Sequence, residues 1–211
     1  MYSKEIATVL VLTILSTTSF ARLPQDCGSL KASFGPYDYR DPDIVTTRLR
    51  EVEDAHFNSD VESLKRGMTE AGPGGDIDYM LRAYPNHHRA LFSIGRLSKQ
   101  SGRLQPVGTS YSAECYYLRA LEFAPDDGVV RMLYGIYLSY WEKFDKALQY
   151  HEEAVQMMPE SAEAHYNLGL LLVRIDKLER AAEAAATAYK LGYPLSGLKR
   201  QLARRGVRIE D

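Results

Sequence analysis

The sequence predicts an all-α fold: a right-handed α-solenoid of helix-turn-helix repeats, with an extended N-terminal arm and a C-terminal capping helix. Three observations predict it. Ala113, Ala147 and Ala181 are spaced by 34 and 34, and Ala120, Ala154 and Ala188 repeat both intervals. Gly135 and Gly169 are also 34 apart. So are Pro125 and Pro159, while Pro194 falls one residue beyond the next position. A fixed period of this length is the signature of a stacked two-helix unit.

Each column has a physical reason. Two helices of one unit pack antiparallel, and Gly or Ala at the crossing lets the backbones approach. The two alanines of each second helix are seven residues apart, two turns along one face. Proline ends the second helix, because it has no amide hydrogen to donate and clashes with the preceding turn.

Composition is compatible with a buried helical core. Of 211 residues, 45% are hydrophobic and 26% charged, and the net charge is -2. That balance gives no global attraction to nucleic acid or to anionic membranes.

The chain opens differently. Lys4 precedes a run from Ile6 to Leu15 that is apolar apart from Thr8 and Thr13, and Ser19-Phe20-Ala21 places small residues two apart. This pattern predicts a cleaved signal peptide over 1–21, Arg22 as the mature start, and a periplasmic or secreted protein. An uncleaved membrane helix is the alternative, but the run is short for a span. Pro24-Gln25-Asp26 before Cys27 lacks the small and aliphatic residues of a lipidation site. In an oxidising compartment Cys27 and Cys115 form an even pair and a candidate disulfide. Two unpaired thiols, with Cys115 a small buried filler, are the alternative.

The segment Ala164-His165-Tyr166-Asn167-Leu168-Gly169-Leu170-Leu171-Leu172 looks like a first helix of the tetratricopeptide repeat family. Phe144-Asp145-Lys146-Ala147-Leu148, followed by Ala154 and Pro159, looks like a second. The resemblance divides 88–195 into repeats at 88–127, 128–161 and 162–195. The first has 40 residues, and its six extra fall between its helices, in the loop-like stretch Ser101–Ser110. Arg131 stands where that family commonly has tryptophan, and Trp141 lies elsewhere.

The flanks follow. Residues 22–58 read as an extended arm laid on the domain through Phe34, Tyr37 and Tyr39. Residues 59–87 read as a degenerate helix pair: Ser59 caps a helix to Met68 with Glu62 three residues on, Ala71–Gly75 form a loop, and a second helix from Asp76 ends at Pro85-Asn86. Residues 196–211 read as a capping helix from Ser196 through Arg205. Leu198 and Leu202 face inward, and Lys199, Arg200, Arg204, Arg205 and Arg208 make a wet basic face.

No nucleotide loop, zinc spacing or nucleophile motif is present, so the sequence assigns no catalytic residue, metal or cofactor. The resemblance implies a non-enzymatic scaffold of the cell envelope that holds a peptide or protein segment in a concave groove. Its wall would comprise Arg89, Phe92, Arg96 and Lys99, then Met132, Ile136 and Tyr140, then Tyr166, Asn167, Leu170 and Arg174. In that family an asparagine at the place of Asn167 often hydrogen-bonds an extended peptide backbone. A basic end beside an apolar middle suits an acidic or carboxylate-terminated peptide with a hydrophobic anchor. No nucleic-acid partner and no membrane span after cleavage are expected. A holder of many exported clients would use the same groove. The competing class is a metal-binding or hydrolytic protein that joins His87 or His88 to His56, Asp76 and Asp78. Against it, neighbouring histidines cannot face one way on a helix, and these residues also suit caps and surface hydrogen bonds.

Overall fold

The structure is a computed structural model that describes residues 23–209. The expected signal segment 1–21 and its cleavage point lie outside the described residues. Regular structure among the described residues is entirely helical. A 3-10 turn (Gln25–Cys27) precedes α1 (Pro42–Ile44), a π-helical turn (Val45–Leu49), α2 (Arg50–His56) and α3 (Ser59–Glu62). Then come α4 (Gly72–Ala83), α5 (His88–Ser101), α6 (Ala113–Phe123), α7 (Gly128–Tyr140) and α8 (Phe144–Met157). The chain ends with α9 (Ala162–Arg174), α10 (Leu178–Lys190) and α11 (Gly197–Arg204).

The turns inside the pairs share one geometry. Gly102, Glu142 and Asp176 take left-handed φ of 64°, 59° and 61°. The next amide then reaches back five residues: Arg103 N to Ser98 O at 3.2 Å, Lys143 N to Leu138 O at 3.0 Å, and Lys177 N to Leu172 O at 2.9 Å. This bond satisfies carbonyls orphaned at the helix end. Glycine takes the conformation without a Cβ clash, whereas Glu142 and Asp176 hold it at a cost of about 1–2 kcal/mol each. Only three residues separate α7 from α8, and three separate α9 from α10, so each pair must run antiparallel.

The connections between pairs share a second geometry. Tyr84, Ala124 and Met158 each have φ of -129°, and each precedes a proline, which excludes the helical region for the residue before it. The next first helix is then capped: His87, Asp127 and Ser161 accept the orphan amides of Ala90, of Val129 and Val130, and of Ala164. Second helix α6 is capped by Ser112, while α8 and α10 have no side-chain cap.

Packing explains the alanine columns. Ala113, Ala147, Ala181, Ala120, Ala154 and Ala188 are all fully buried. The glycine column works differently from the expectation. No neighbouring backbone presses nearest to these glycines; each receives a side chain. A Cβ on Gly95 would collide with the Tyr117 hydroxyl, on Gly135 with the His151 ring at 2.8 Å, and on Gly169 with Leu198 Cδ2 at 2.5 Å.

Four boundary expectations need correction. The 22–58 arm is not extended throughout: Asp41 accepts the Asp43 amide, Pro42 opens a helical turn, and the chain stays helical to His56 with Leu49 and Val52 buried. The helix expected over 59–68 stops at Glu62, its cap is Asn58 rather than Ser59, and Leu64 turns left-handed at φ 63°. The expected loop Ala71–Gly75 contributes the first turn of α4, with Pro73 near the N-terminus where its missing amide hydrogen costs nothing. Ser196 gives no side-chain cap to α11; its hydroxyl takes a bond from Arg200 instead. The basic face and the inward Leu198 and Leu202 of α11 stand as expected.

Ala154 sits among Met132, Val155, Met158 and Ala164 with no exposed surface. Replacing it with Leu overpacks that contact, at a cost of about 1–3 kcal/mol. The melting temperature should fall by several degrees, and an unchanged midpoint in a thermal melt would show that the column does not mark a helix crossing.

Candidate functional site

The first helices α5, α7 and α9 are neighbours in sequence order, α5 against α7 and α7 against α9. Their surface residues supply the candidate site. Phe92 is 39% exposed, and the Arg96 guanidinium lies 5.7 Å from its ring centre. Across on α7, the Lys99 ammonium sits 4.3 Å from the centre of the Tyr140 ring. Arg96 also lies within electrostatic reach of Tyr140, whose hydroxyl pKa is raised mainly by burial. So the structure brings Phe92, Arg96, Lys99 and Tyr140 into one aromatic and cationic surface, and Ile136 stands one turn before Tyr140 on the same face. Among the described residues neither Arg96 nor Lys99 forms an ion pair, although, behind the larger effect of Arg89, the Arg96 charge helps to lower the Glu62 pKa.

Other members of the expected wall are placed elsewhere. Met132 is 2% exposed and packs with Ala154 and Ala164. Tyr166 stacks on Tyr193 at 4.0 Å and closes over α10 and α11. Both are core residues, because their positions on the helix face the adjoining pair. Asn167 spends its amide hydrogens on Glu163 O at 2.9 Å and on the Met132 sulfur at 3.6 Å, so they are already donated within the fold. Arg89 is bound to Glu62 and Glu53 over the Phe57 ring. Arg174 donates to Ser139 O at 2.7 Å and to the Glu142 carboxylate at 3.3 Å and lies over Phe144, tying α9 to the end of α7 and the turn after it. Leu170 is half-buried against the C-terminal core.

The histidines and carboxylates of the competing reading do not converge. His56 Nδ1 meets Asp76 at 3.2 Å, yet Asp76 also accepts the Met68 amide at 2.7 Å and the Thr69 amide at 3.2 Å, so it serves the loop before α4. His87 Nδ1 accepts the Ala90 amide at 3.1 Å, which leaves Nε2–H to donate to Glu53 at 3.0 Å. His88 turns the other way, its Nε2 on Asp127 at 2.8 Å and its Nδ1 on the Tyr39 hydroxyl at 2.7 Å. Asp78 is engaged by Arg82, Ser110 and Tyr116. Among the described residues the one grouping of three possible ligand atoms is Asp26, Cys27 and Cys115, and its sulfurs are joined to each other.

Two partners carry no signal in the sequence reading: Glu53 falls within the expected extended arm, and Asp127 sits in a Pro-Asp-Asp turn to which no role is assigned. Asp127 is 2% exposed. Burial raises its pKa, but the His88 hydrogen bond and charge, the Val130 amide and Arg40 outweigh that and hold it lowered. The Tyr39–His88–Asp127 chain has the order of an acid–base relay. Its atoms are consumed structurally, however, since Asp127 also caps α7 and accepts from Asn86 at 3.3 Å.

No family model matches the chain, and no curated protein gives a significant match. Among solved structures the chain is similar to one described as "MamA RS-1 ArsTM double mutant", at 26% identity with a TM-score of 0.43. The similarity covers 56% of this chain and 64% of that one, so this chain spans less than two thirds of it.

His151 occupies the Gly135 socket, 1% exposed, and its Nδ1 has no partner. Burial alone pushes its pKa down to about 4. Burial also lowers the pKa of His87, against the opposing pull of Glu53. In the unfolded chain a histidine binds its proton near pH 6.5, so the folded state resists a proton that the unfolded state accepts. Stability should therefore fall as pH drops from about 6.5 towards about 4, with His151 contributing on the order of 3 kcal/mol. Melts across that range should show the loss, and His151→Gln should flatten it; an equally steep profile in the variant would exonerate His151.

Proposed function

We propose that the chain is a tetratricopeptide-type interaction scaffold of the cell envelope, binding an extended acidic or carboxylate-terminated peptide on the face of α5, α7 and α9. The observation that carries this reading is the cluster of Phe92, Arg96, Lys99 and Tyr140. It offers two cations that form no ion pair among the described residues, both held over aromatic rings. A peptide carboxylate would engage the cations, and an apolar side chain would rest on Phe92, Ile136 and Tyr140. The stacked pairs support a right-handed solenoid, whose concave side is formed by first helices. The groove is narrower in composition than the sequence suggests, since Met132, Tyr166 and Asn167 serve the core. Export is supported by the disulfide between Cys27 and Cys115, because such bonds persist in oxidising compartments. Among the described residues no helix is long and apolar enough to cross a membrane.

A displayed peptide library selected on the oxidised protein should yield acidic sequences with one apolar anchor. The double variant Arg96→Glu/Lys99→Glu should weaken their binding at least about tenfold, the scale of one or two lost charge-assisted bonds, while leaving the melting curve in place. Selected peptides that bind the double variant equally well would place recognition on another surface.

A further inference from the structure

A pocket of about 400 Å³ opens between the arm, α4 and α6, lined by Ser29, Lys31, Ser33, Arg82, Tyr111 and Arg119. We propose that it binds a small molecule bearing an oxyanion, carboxylate or phosphate, through Arg119, Lys31 and Arg82.

Arg119 is the central observation. It is 1% exposed and the largest of the fully buried side chains. Its Nη1 donates to Cys27 O at 3.0 Å and Ser29 O at 2.8 Å, and among the described residues its buried Nε has no partner and it forms no ion pair. An ionised side chain taken out of water is ordinarily paired with an opposite charge. Here two carbonyl dipoles and the Tyr111 ring, 4.8 Å from the guanidinium, are the compensation in place. Burial accordingly lowers the Arg119 pKa, with Tyr111, Tyr116 and Asp78 only partly offsetting it.

The surrounding charges agree. Lys31 is exposed at the rim and forms no ion pair among the described residues. Arg82 donates Nε to Asp78 at 2.9 Å. Asp78 is the carboxylate acting on this site, and it is already saturated by Arg82, the Ser110 amide at 3.0 Å, the Ser110 hydroxyl at 3.1 Å and the Tyr116 hydroxyl. Asp26 lies beside the disulfide sulfurs and does not line the pocket. Three cations therefore face one engaged carboxylate. Ser29 Oγ accepts the Lys31 amide at 3.0 Å, which leaves its O–H to donate, and Ser33 adds a second hydroxyl. A guanidinium fork with added hydroxyl donors matches an oxyanion geometrically. The volume suits a small metabolite-sized molecule.

The site joins Arg119 of the first repeat to parts that lie outside the regular repeat. Tyr111 comes from the loop between α5 and α6, and Gly28, at φ 65°, admits it, because a Cβ there would meet the Tyr111 hydroxyl at 2.5 Å. The disulfide joins Cys27 to Cys115, one turn before Arg119, and so fixes the Cys27 carbonyl against the guanidinium. The pocket belongs to the oxidised chain.

Isothermal titration of the oxidised protein at low ionic strength, with sodium phosphate in one arm and sodium succinate in the other, tests this. Saturable one-to-one binding of at least one anion is expected, and the arm that binds names the source of the oxyanion. Added chloride should weaken it by screening. Arg119→Gln should abolish binding. Because Arg119 is buried and its variant risks misfolding, Lys31→Ser at the exposed rim provides the second reading: about tenfold weaker binding with an unchanged melt. The Cys27→Ser/Cys115→Ser variant should lose the site. No saturable heat with either anion, or binding that survives both Arg119→Gln and Lys31→Ser, overturns the proposal. The site shares no residue with the α5–α7–α9 face, so Arg96→Glu/Lys99→Glu leaves it intact and the two readings fail separately.

Discussion

The stack depends on what fills three glycine sockets. Gly95, Gly135 and Gly169 each leave a hole in a first helix that a neighbouring side chain must occupy. Tyr117 and His151 are 34 residues apart and fill the first two from equivalent places on second helices. The third equivalent place is Ala185, which is too small. There Leu198 of α11 enters instead. The capping helix is thus keyed into the stack by the residue that the last repeat lacks, and Leu202 extends the same contact. An empty socket would forfeit its dispersion contacts, and a larger residue at the glycine would displace the knob.

Polar chemistry in the sockets differs with the knob. The Tyr117 hydroxyl donates to Leu91 O at 2.6 Å and so enters satisfied. His151 enters with Nδ1 unpaired, which is why burial acts on it unopposed. One architectural position therefore yields a neutral knob in the first unit and an acid-sensitive one in the second.

The repeat register was legible in the sequence because it is written in small residues and prolines, whose roles are steric and local. The alanines are buried where the period puts them, the prolines follow the second helices, and the six extra residues form the loop between α5 and α6. What was not legible depends on tertiary contact. Asn58 displaces Ser59 as a cap because its extended backbone lets its side chain accept the Asp60 and Val61 amides, and Leu64 turns the chain back after a single helical turn. Glu142 and Asp176 occupy the left-handed position where Gly102 alone carried a signal. Among the wall residues that the resemblance implies, Phe92, Arg96, Lys99 and Tyr140 lie together on the surface of α5 and α7. Met132 and Tyr166 do not, because helical spacing gives a residue's face but not which neighbour covers it. Arg119 gave no signal at all: a lone arginine within Tyr-Leu-Arg-Ala-Leu reads as a solvated position until the arm is laid over it.

The arm ties these regions together energetically. Tyr39 binds His88 at the start of α5, Asn86 accepts the Tyr39 amide at 3.3 Å, and Arg40 reaches Asp126 at 3.1 Å beside the cap of α7. Arg40 and Asn86 together hold the Asp38 carboxyl down to about 2 despite its partial burial. The first turns of α5 and α7 are therefore bolted to a segment that precedes both in sequence. That segment is itself closed onto α6 by a bond spanning 88 residues, a loop long enough for the chain-entropy model to assign about 4–5 kcal/mol to its closure. Opening the disulfide would remove that constraint and loosen the Cys27 carbonyl from Arg119. It would also weaken the hold on Asp38, Tyr39 and Arg40 that completes the caps of the two helices. The oxidised state is thus the condition under which the arm is held against α6 and against the starts of α5 and α7.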